Sequence, residues 1–257
     1  MKHAIILALS FAKRDFKERY VGTGLGQLWY ILSPIVSIFI YTVIFSDFMK
    51  MKLDLVESSY SYSIYLVSGL LAWTSFSTLI MRLNGSLLEK AHLIKKISVP
   101  AFVYQLSLAF VEFGILLLSY VFALGFLLII DYPITWAFLY LLPLFALQTL
   151  LAFSLGVILS LFTPFFKDLK EAAPIIIQLW FWMTPIIYMK EMIADKYPSL
   201  LIYNPFYSFA HLYQNIFLYS KIPSLQDMLT VTLFALIPFV TAILLYKKMI
   251  GAIKDIL

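Results

Sequence analysis

The sequence predicts an all-α integral membrane protein, and three observations carry that prediction. Apolar residues make up 62% of the 257 and charged residues 13%, against roughly 45–50% and about 25% in a soluble domain. The mean hydropathy is +0.92. Uncharged apolar runs follow one another along the chain, with room for about six helices of ~20 residues each. A water-soluble fold this apolar could not cover its surface with polar groups. Residues 1–257 therefore read as a single transmembrane domain, with no soluble part large enough to carry an enzyme of its own. There is no cysteine, which excludes disulfides, thiolate metal sites and cysteine nucleophiles and leaves the redox compartment open. The net charge of +5 could suggest nucleic acid, but its placement points to a membrane instead.

The first element, residues 1–21, is an amphipathic helix. Ile5, Leu9, Ala12, Phe16 and Tyr20 recur at three- and four-residue intervals, with Lys13, Arg14, Lys17 and Glu18 on other faces; this suits a helix lying in the cytoplasmic membrane interface. A cleaved signal peptide is the alternative reading of Lys2 to Ala12. Cleavage would carry Lys13, Arg14, Lys17 and Arg19 across the membrane, the wrong side for a basic cluster. Gly22, Gly24 and Gly26 then suit a sharp break between a helix lying flat and one going through.

The spans follow. The first fits within Gln27 to Ser46 and the second lies between Glu57 and Arg82. The third, Ile97 to Ile130, is interrupted by Glu112 alone. Tyr132 to Phe166 holds the fourth, with Pro143 near its start. Ala172 to Met189 gives a short fifth between Pro174 and Pro185, and Met228 to Tyr246 gives the last, around Pro238. Proline is tolerable in such helices because neighbours satisfy the freed carbonyl. Tyr197 to Ser220 is long enough to span but holds Pro198, Asn204, Pro205, His211, Gln214 and Asn215. With six spans, 14 of the 19 Lys and Arg fall on the side of the two termini, which places both termini in the cytoplasm. Tyr197 to Ser220 then forms re-entrant or interfacial helices on the outer side, within residues 188–227.

The motifs that carry chemistry are mostly absent. No phosphate-binding loop of the form G-x-x-x-x-G-K-[ST] occurs, and Gly22 to Gly26 follows no strand. His3, His92 and His211 are scattered, and Asp15 with Glu18 and Asp168 with Glu171 read as solvated pairs near membrane ends. No metal site, cofactor site or catalytic residue is expected. Glu112, the one acid well inside a span, is either functional or a hydrogen-bonded carboxyl at a helix contact, because desolvating it is costly. The cluster Lys13, Arg14, Lys17 and Arg19 is either a headgroup anchor or a contact for a lipid-linked pyrophosphate, since guanidinium and phosphate match in geometry. Residues 82–98 form an amphipathic cytoplasmic segment, with Leu83, Leu87, Ala91 and Ile94 on one stripe and Lys90, Lys95 and Lys96 elsewhere. It lies on the membrane or docks into a partner. The loop Pro164 to Ala172 is a second candidate contact. Aromatic residues are 18% of the chain; many are belt or packing residues, yet aromatic faces also suit sliding sugar rings.

Three stretches carry a family resemblance. Arg14-Asp15-Phe16-Lys17-Glu18-Arg19-Tyr20, Thr23-Gly24-Leu25-Gly26-Gln27-Leu28-Trp29 and Leu32-Ser33-Pro34 resemble the R-D-x-K-x-R-Y…S/T-x-L-G-x-x-W…L-x-P opening of ABC-type polysaccharide-exporter permeases. Thr23 stands where serine is common. Ile94-Lys95-Lys96-Ile97-Ser98-Val99-Pro100 is similar to that family's first cytoplasmic loop. Thr184-Pro185-Ile186-Ile187-Tyr188 and Tyr203-Asn204-Pro205-Phe206 are similar to its outer-gate region.

The resemblance implies a six-span permease that homodimerises around a channel and pairs with a separate cytoplasmic ATPase subunit. The cargo implied is a polysaccharide on a lipid pyrophosphate, O-antigen-like, crossing the bacterial cytoplasmic membrane. It implies that residues 82–98 are a coupling helix, with Leu87, Ala91, Ile94 and Lys95 toward the ATPase. It places the first and fifth spans at the channel, so that Tyr30, Tyr41, Trp180 and Tyr188 are the expected wall. The rivals are a membrane-embedded glycosyl- or acyltransferase, which would need clustered acids or histidines, an ion-coupled carrier, supported by Glu112 alone, and the same fold with drug or lipid cargo.

Overall fold

The structure, a computed structural model, describes residues 2–49, 59–91 and 100–256. Every regular element among them is helical. The amino-terminal helix α1 (Lys2–Glu18) ends in a run of turns, and Gly22 and Gly26 take positive φ of 88° and 51°. That backbone is easy for glycine and costly for other residues, which is why the chain can reverse there. Then come α2 (Trp29–Thr42), which passes into a π-helical turn at Val43–Phe48, and α3 (Ser61–Asn84). After them lie α4 (Ser86–Glu89), α5 (Ala101–Ile129) and α6 (Leu141–Phe162). The chain continues through α7 (Leu169–Trp182), α8 (Glu191–Ala194), α9 (Pro198–Ile202), α10 (Pro205–Tyr219) and α11 (Leu225–Ile256).

Five helical stretches are long and apolar enough to cross a membrane: Gly26–Ser46, Ser61–Asn84, Ala101–Ile129, Trp136–Phe162 and Leu225–Ile253. The expected fifth span in chain order differs. Its helix α7 has 14 residues, about 21 Å at 1.5 Å per residue, short of a hydrocarbon core of ~30 Å. Beyond Trp182 the chain turns through residues 183–189. Tyr197 to Ser220 holds no single long helix: α9 and α10 are separated at Tyr203 and Asn204. Pro205 begins α10, and the Asn204 side chain accepts from the amides of Phe206 and Tyr207 at 3.1 and 3.2 Å, as an N-cap should. A second cap opens α11, where Ser224 and Asp227 bond reciprocally through side chain and amide.

Helix α3 sits at the centre, with 72% of its spanning window buried, against 17% for α2 and for α11. Close approach at two glycines puts it there. A Cβ on Gly156 of α6 would lie 2.7 Å from Cβ of Leu83, and one on Gly69 of α3 would lie 3.2 Å from Cγ2 of Ile186. At Gly156 the missing side chain lets α6 pack nearly backbone to backbone on α3, the usual device where lipid offers no hydrophobic drive between helices, and at Gly69 it makes room for Ile186 of the turn after α7. Polar side chains add cross-links: Tyr120 donates to the Ser68 carbonyl at 2.6 Å, Gln148 to that of Ala72 at 3.0 Å, and Gln105 to the Ser86 and Ser160 hydroxyls. A second, smaller core joins Leu87, Ala101, Val157, Leu161, Ala242 and Ile253.

Helix α1 packs along α5 rather than standing apart. The face it buries carries Ala8 and Ala12, while Ile5 and Leu9 of the expected stripe stay exposed. Two alanines let α1 approach α5 closely, and that moves the protein-facing side part of a turn round from the stripe read in the sequence.

Candidate functional site

Four charged side chains from three helices meet where α1 crosses the bundle. Glu112, at the middle of α5, is 2% exposed. Its Oε1 accepts from Nη1 of Arg19 at 2.9 Å and from Nη1 of Arg82 at 2.7 Å. Nη2 of Arg82 donates to Oδ2 of Asp15 at 2.5 Å. The group balances in charge, so no buried ion is left without a counter-ion, as burial at this depth requires. Three of its members are separated in sequence by the length of one or more helices, and it ties α1, α3 and α5 together.

Aromatic rings flank Arg19. Tyr30 stacks on Phe16 with centroids 4.1 Å apart and meets Tyr20 edge-on at 4.7 Å. The Arg19 guanidinium lies 5.6 Å from the Tyr30 ring and 5.7 Å from that of Tyr20, within range of cation–π attraction. The Tyr30 hydroxyl donates to the Phe16 carbonyl at 3.2 Å. A half-enclosed cleft of about 150 Å³ opens beside this group between α2, α3 and α5, lined by Arg19, Glu112, Ser33, Ser37, Thr74 and Thr78 among others. On the other flank of α3 a wider groove of about 440 Å³ runs between α3 and α7, past Ser77, Thr78 and Gln178 to Arg82. Hydroxyls, an amide and two guanidiniums thus line an otherwise apolar bundle.

The basic cluster is therefore divided. Lys13 and Lys17 are exposed, and Arg14 pairs with Glu18 at 2.8 Å on the exposed side of α1. Arg19 alone turns inward.

The expected ATPase contacts also move. Residues 82–84 continue α3, and Leu87 is 1% exposed within the smaller core. Leu87 is not available to a partner: the apolar stripe read at Leu83 and Leu87 packs inside the chain, Leu83 against Gly156 of α6 and Leu87 against α6 and α11. Ala91 is half-buried, and Ile94 and Lys95 lie outside the described residues. The loop after α6 is close by. Asn84 accepts from the Thr163 hydroxyl at 2.6 Å and donates to the Leu169 carbonyl at 3.1 Å, and Lys170 reaches Glu89 at 3.5 Å. These bonds hold the chain before residue 92 against the Pro164–Ala172 loop, where Phe165 and Phe166 are exposed around an open hollow.

At the other end of the bundle the turn after α7 is closed by side chains. The carbonyls of Ile187 and Tyr188 accept from Tyr62 at 2.6 Å and Tyr65 at 2.9 Å, and that of Pro185 from Gln214 at 3.2 Å. Trp180 donates to Asn204 at 2.8 Å, and Asn204 to Thr184 at 2.8 Å. Irregular backbone at membrane depth needs such partners.

The four expected channel aromatics take different places. Tyr30 is 3% exposed, packed against the rings of Phe16 and Tyr20, and it lines the 150 Å³ cleft beside Arg19. Trp180 packs edge-on to Trp73 and Phe76, half-buried. Tyr188 bonds the Trp182 carbonyl of its own turn at 2.9 Å, and Tyr41 is half-buried at the end of α2. The sequence reading missed Arg82, whose place at the foot of the second span made it look like a loop charge, and the hydroxyls Ser33, Ser37, Thr74 and Thr78. Their i,i+4 spacing on two apolar helices was the available signal.

A multi-pass helical bundle with membrane-length spans, a buried charge network and polar grooves has the build of a membrane transport subunit. The chain belongs to the ABC-2 type transporter membrane family, whose profile matches residues 7–218. It is 28% identical over 213 residues to the O-antigen export system permease protein RfbA of Klebsiella pneumoniae, covering 82% of this chain and 80% of that one. The protein of the same name from Myxococcus xanthus is 26% identical over 230 residues, 87% and 84% of the two chains. The polysialic acid transport protein KpsM of Escherichia coli is 25% identical over 198 residues, 75% and 73%.

Proposed function

We propose that this chain is the channel-forming permease subunit of an ATP-driven exporter that moves a lipid-linked, O-antigen-like polysaccharide across the bacterial cytoplasmic membrane. The observation that carries the reading is the near full-length similarity to permeases named for polysaccharide export, over the same stretch that builds the charge network and the polar grooves. Two copies enclose the channel, and each engages a cytoplasmic ATPase subunit. Both termini are cytoplasmic, which puts α1, the charge network and the 163–172 loop on the ATPase side. The ATPase docks on the segment from Ala91 onward, with Ile94 and Lys95, and on the adjacent loop bearing Phe165 and Phe166.

Residues 188–227 form the outer gate, held by the tyrosine bonds to the turn after α7. Tyr41, Trp180 and Tyr188 contribute to the channel wall together with the hydroxyls of α3. Stripping a glycan of water without replacing its hydrogen bonds costs several kcal/mol, and hydroxyl and aromatic edges replace them. The test is reconstitution. The purified chain alone should hydrolyse no ATP, and the complex with its ATPase should hydrolyse ATP faster when lipid-linked glycan is added. Turnover by the chain alone, or a complex indifferent to lipid-linked glycan, would contradict the proposal.

A further inference from the structure

The two arginines on Glu112 are not held alike. Arg82 has a second carboxylate, Asp15, and its side chain is 20% exposed. Arg19 has Glu112 as its one ion-pair partner among the described residues, its side chain is 28% exposed, and it lines the 150 Å³ cleft. If Arg19 swings away, Glu112 and Asp15 both keep Arg82, so neither carboxylate loses its last partner, at the cost of one unbalanced negative charge. The network is built with one arm that can leave.

The rest of the cleft indicates what would draw that arm out. Its polar wall is made of hydroxyls: Ser37 on α2 and Thr74 on α3 donate to the carbonyls of Ser33 and Leu70 in their own helices, while Ser33 and Thr78 can donate to an oxyanion, and its carboxylate is the one already occupied by Arg82. A guanidinium beside the Ser33 and Thr78 hydroxyls suits a phosphoryl oxyanion, which a guanidinium binds in fork geometry. An apolar or cationic guest would leave the Ser33 and Thr78 hydroxyls unmatched.

We propose that the cleft at Arg19 is a phosphoryl-anion site, and that the anion takes Arg19 from Glu112 and so loosens α1 from α5. Glu112 is then an internal competitor for the ligand, and α1 is the element that reports occupancy. The regulatory half rests on the export reading, because a pyrophosphate-bearing lipid is the ligand it would serve. The anion site itself stands on geometry alone, and an anionic phospholipid headgroup offers the same chemistry.

The experiment uses the full chain in phosphatidylcholine nanodiscs, titrated with farnesyl pyrophosphate, while amide hydrogen exchange is followed across residues 7–18. Wild type should bind, and exchange in α1 should become faster rather than slower. Arg19→Gln should weaken binding about tenfold or more, as losing one charge-assisted bond implies, whereas Arg19→Lys should keep most of it. Glu112→Gln should bind several-fold tighter, because the competing charge is gone and an acceptor for Arg82 is kept. Should that variant fail to insert, the Arg19 pair still decides. Repeating the titration with phosphatidylglycerol in the disc separates the two sources: unchanged affinity assigns the site to a pyrophosphate ligand, and strong competition assigns it to headgroups. Equal binding by wild type and Arg19→Gln, tighter binding absent in a folded Glu112→Gln, or slower exchange in α1 would each overturn the proposal. Export could persist in that event, so the exporter reading would survive it.

Discussion

Arg19 and Arg82 donate to the same carboxylate oxygen, Oε1 of Glu112, at 2.9 and 2.7 Å. Glu112→Ala would leave two guanidiniums facing one another without the charge between them. Breaking a buried pair from one side costs about 3–5 kcal/mol, and Arg19, 28% exposed, keeps the expected loss at the lower end. Folded yield and melting temperature in detergent should fall sharply for Glu112→Ala and recover in part when Arg82→Leu is added. An alanine variant as stable as wild type would show that the network carries no load.

Helix α6 approaches α3 at Gly156, where an added Cβ would meet Leu83 Cβ at 2.7 Å and the Ile80 Cα at 3.2 Å. Both are close to the backbone and cannot yield, so Gly156→Ala should cost about 1–3 kcal/mol by forcing the helices apart. Gly114 of α5 has nothing within 4 Å of its Cβ position, and Gly114→Ala should be neutral or slightly stabilising, by up to ~1 kcal/mol. Thermal melts of the two variants in one detergent make the comparison.

Much of this fold was legible in the chain. Uncharged runs marked six spans because a charge inside lipid is expensive, five of them long apolar helices among the described residues, and Gly22 to Gly26 marked the break before the first. The short α7 was harder to read. Residues 172–189 look like one run by hydropathy, and only the bonds from Tyr62, Tyr65 and Gln214 show how a broken backbone is satisfied there. Pairing was harder still. Nothing local to Glu112 indicates that its partners lie 93 and 30 residues away. The stripe through Leu83 and Leu87 fitted a lipid face, a partner face or an internal face equally well, since periodicity reports that a face is apolar and not what covers it.

That last ambiguity yields a separable pair of variants. Leu87→Asp places a charge in the core of Ala101, Val157, Leu161, Ala242 and Ile253 and should reduce the amount of folded protein. Phe166 is 63% exposed, so Phe166→Asp should insert normally and lose co-purification with the ATPase subunit. Normal co-purification by a well-folded Phe166→Asp would remove the 163–172 loop from the docking surface.

The turn after α7 depends on two tyrosine hydroxyls. Each bond contributes about 0.5–1.5 kcal/mol net, so Tyr62→Phe or Tyr65→Phe alone should be mild. Together they free the carbonyls of Ile187 and Tyr188, and the proposed gate should leak. Vesicles carrying the double variant should admit a small membrane-impermeant dye that wild-type vesicles exclude. Equal exclusion would place the seal elsewhere.

The most direct measurement of the central claim is where the polymer accumulates when this chain is removed from its own cell. Deletion should leave lipid-linked glycan inside the cytoplasmic membrane and strip it from the surface, with restoration by the wild-type chain and not by a folded variant that no longer binds the ATPase. Undiminished glycan at the surface of the deletion strain would contradict the assignment.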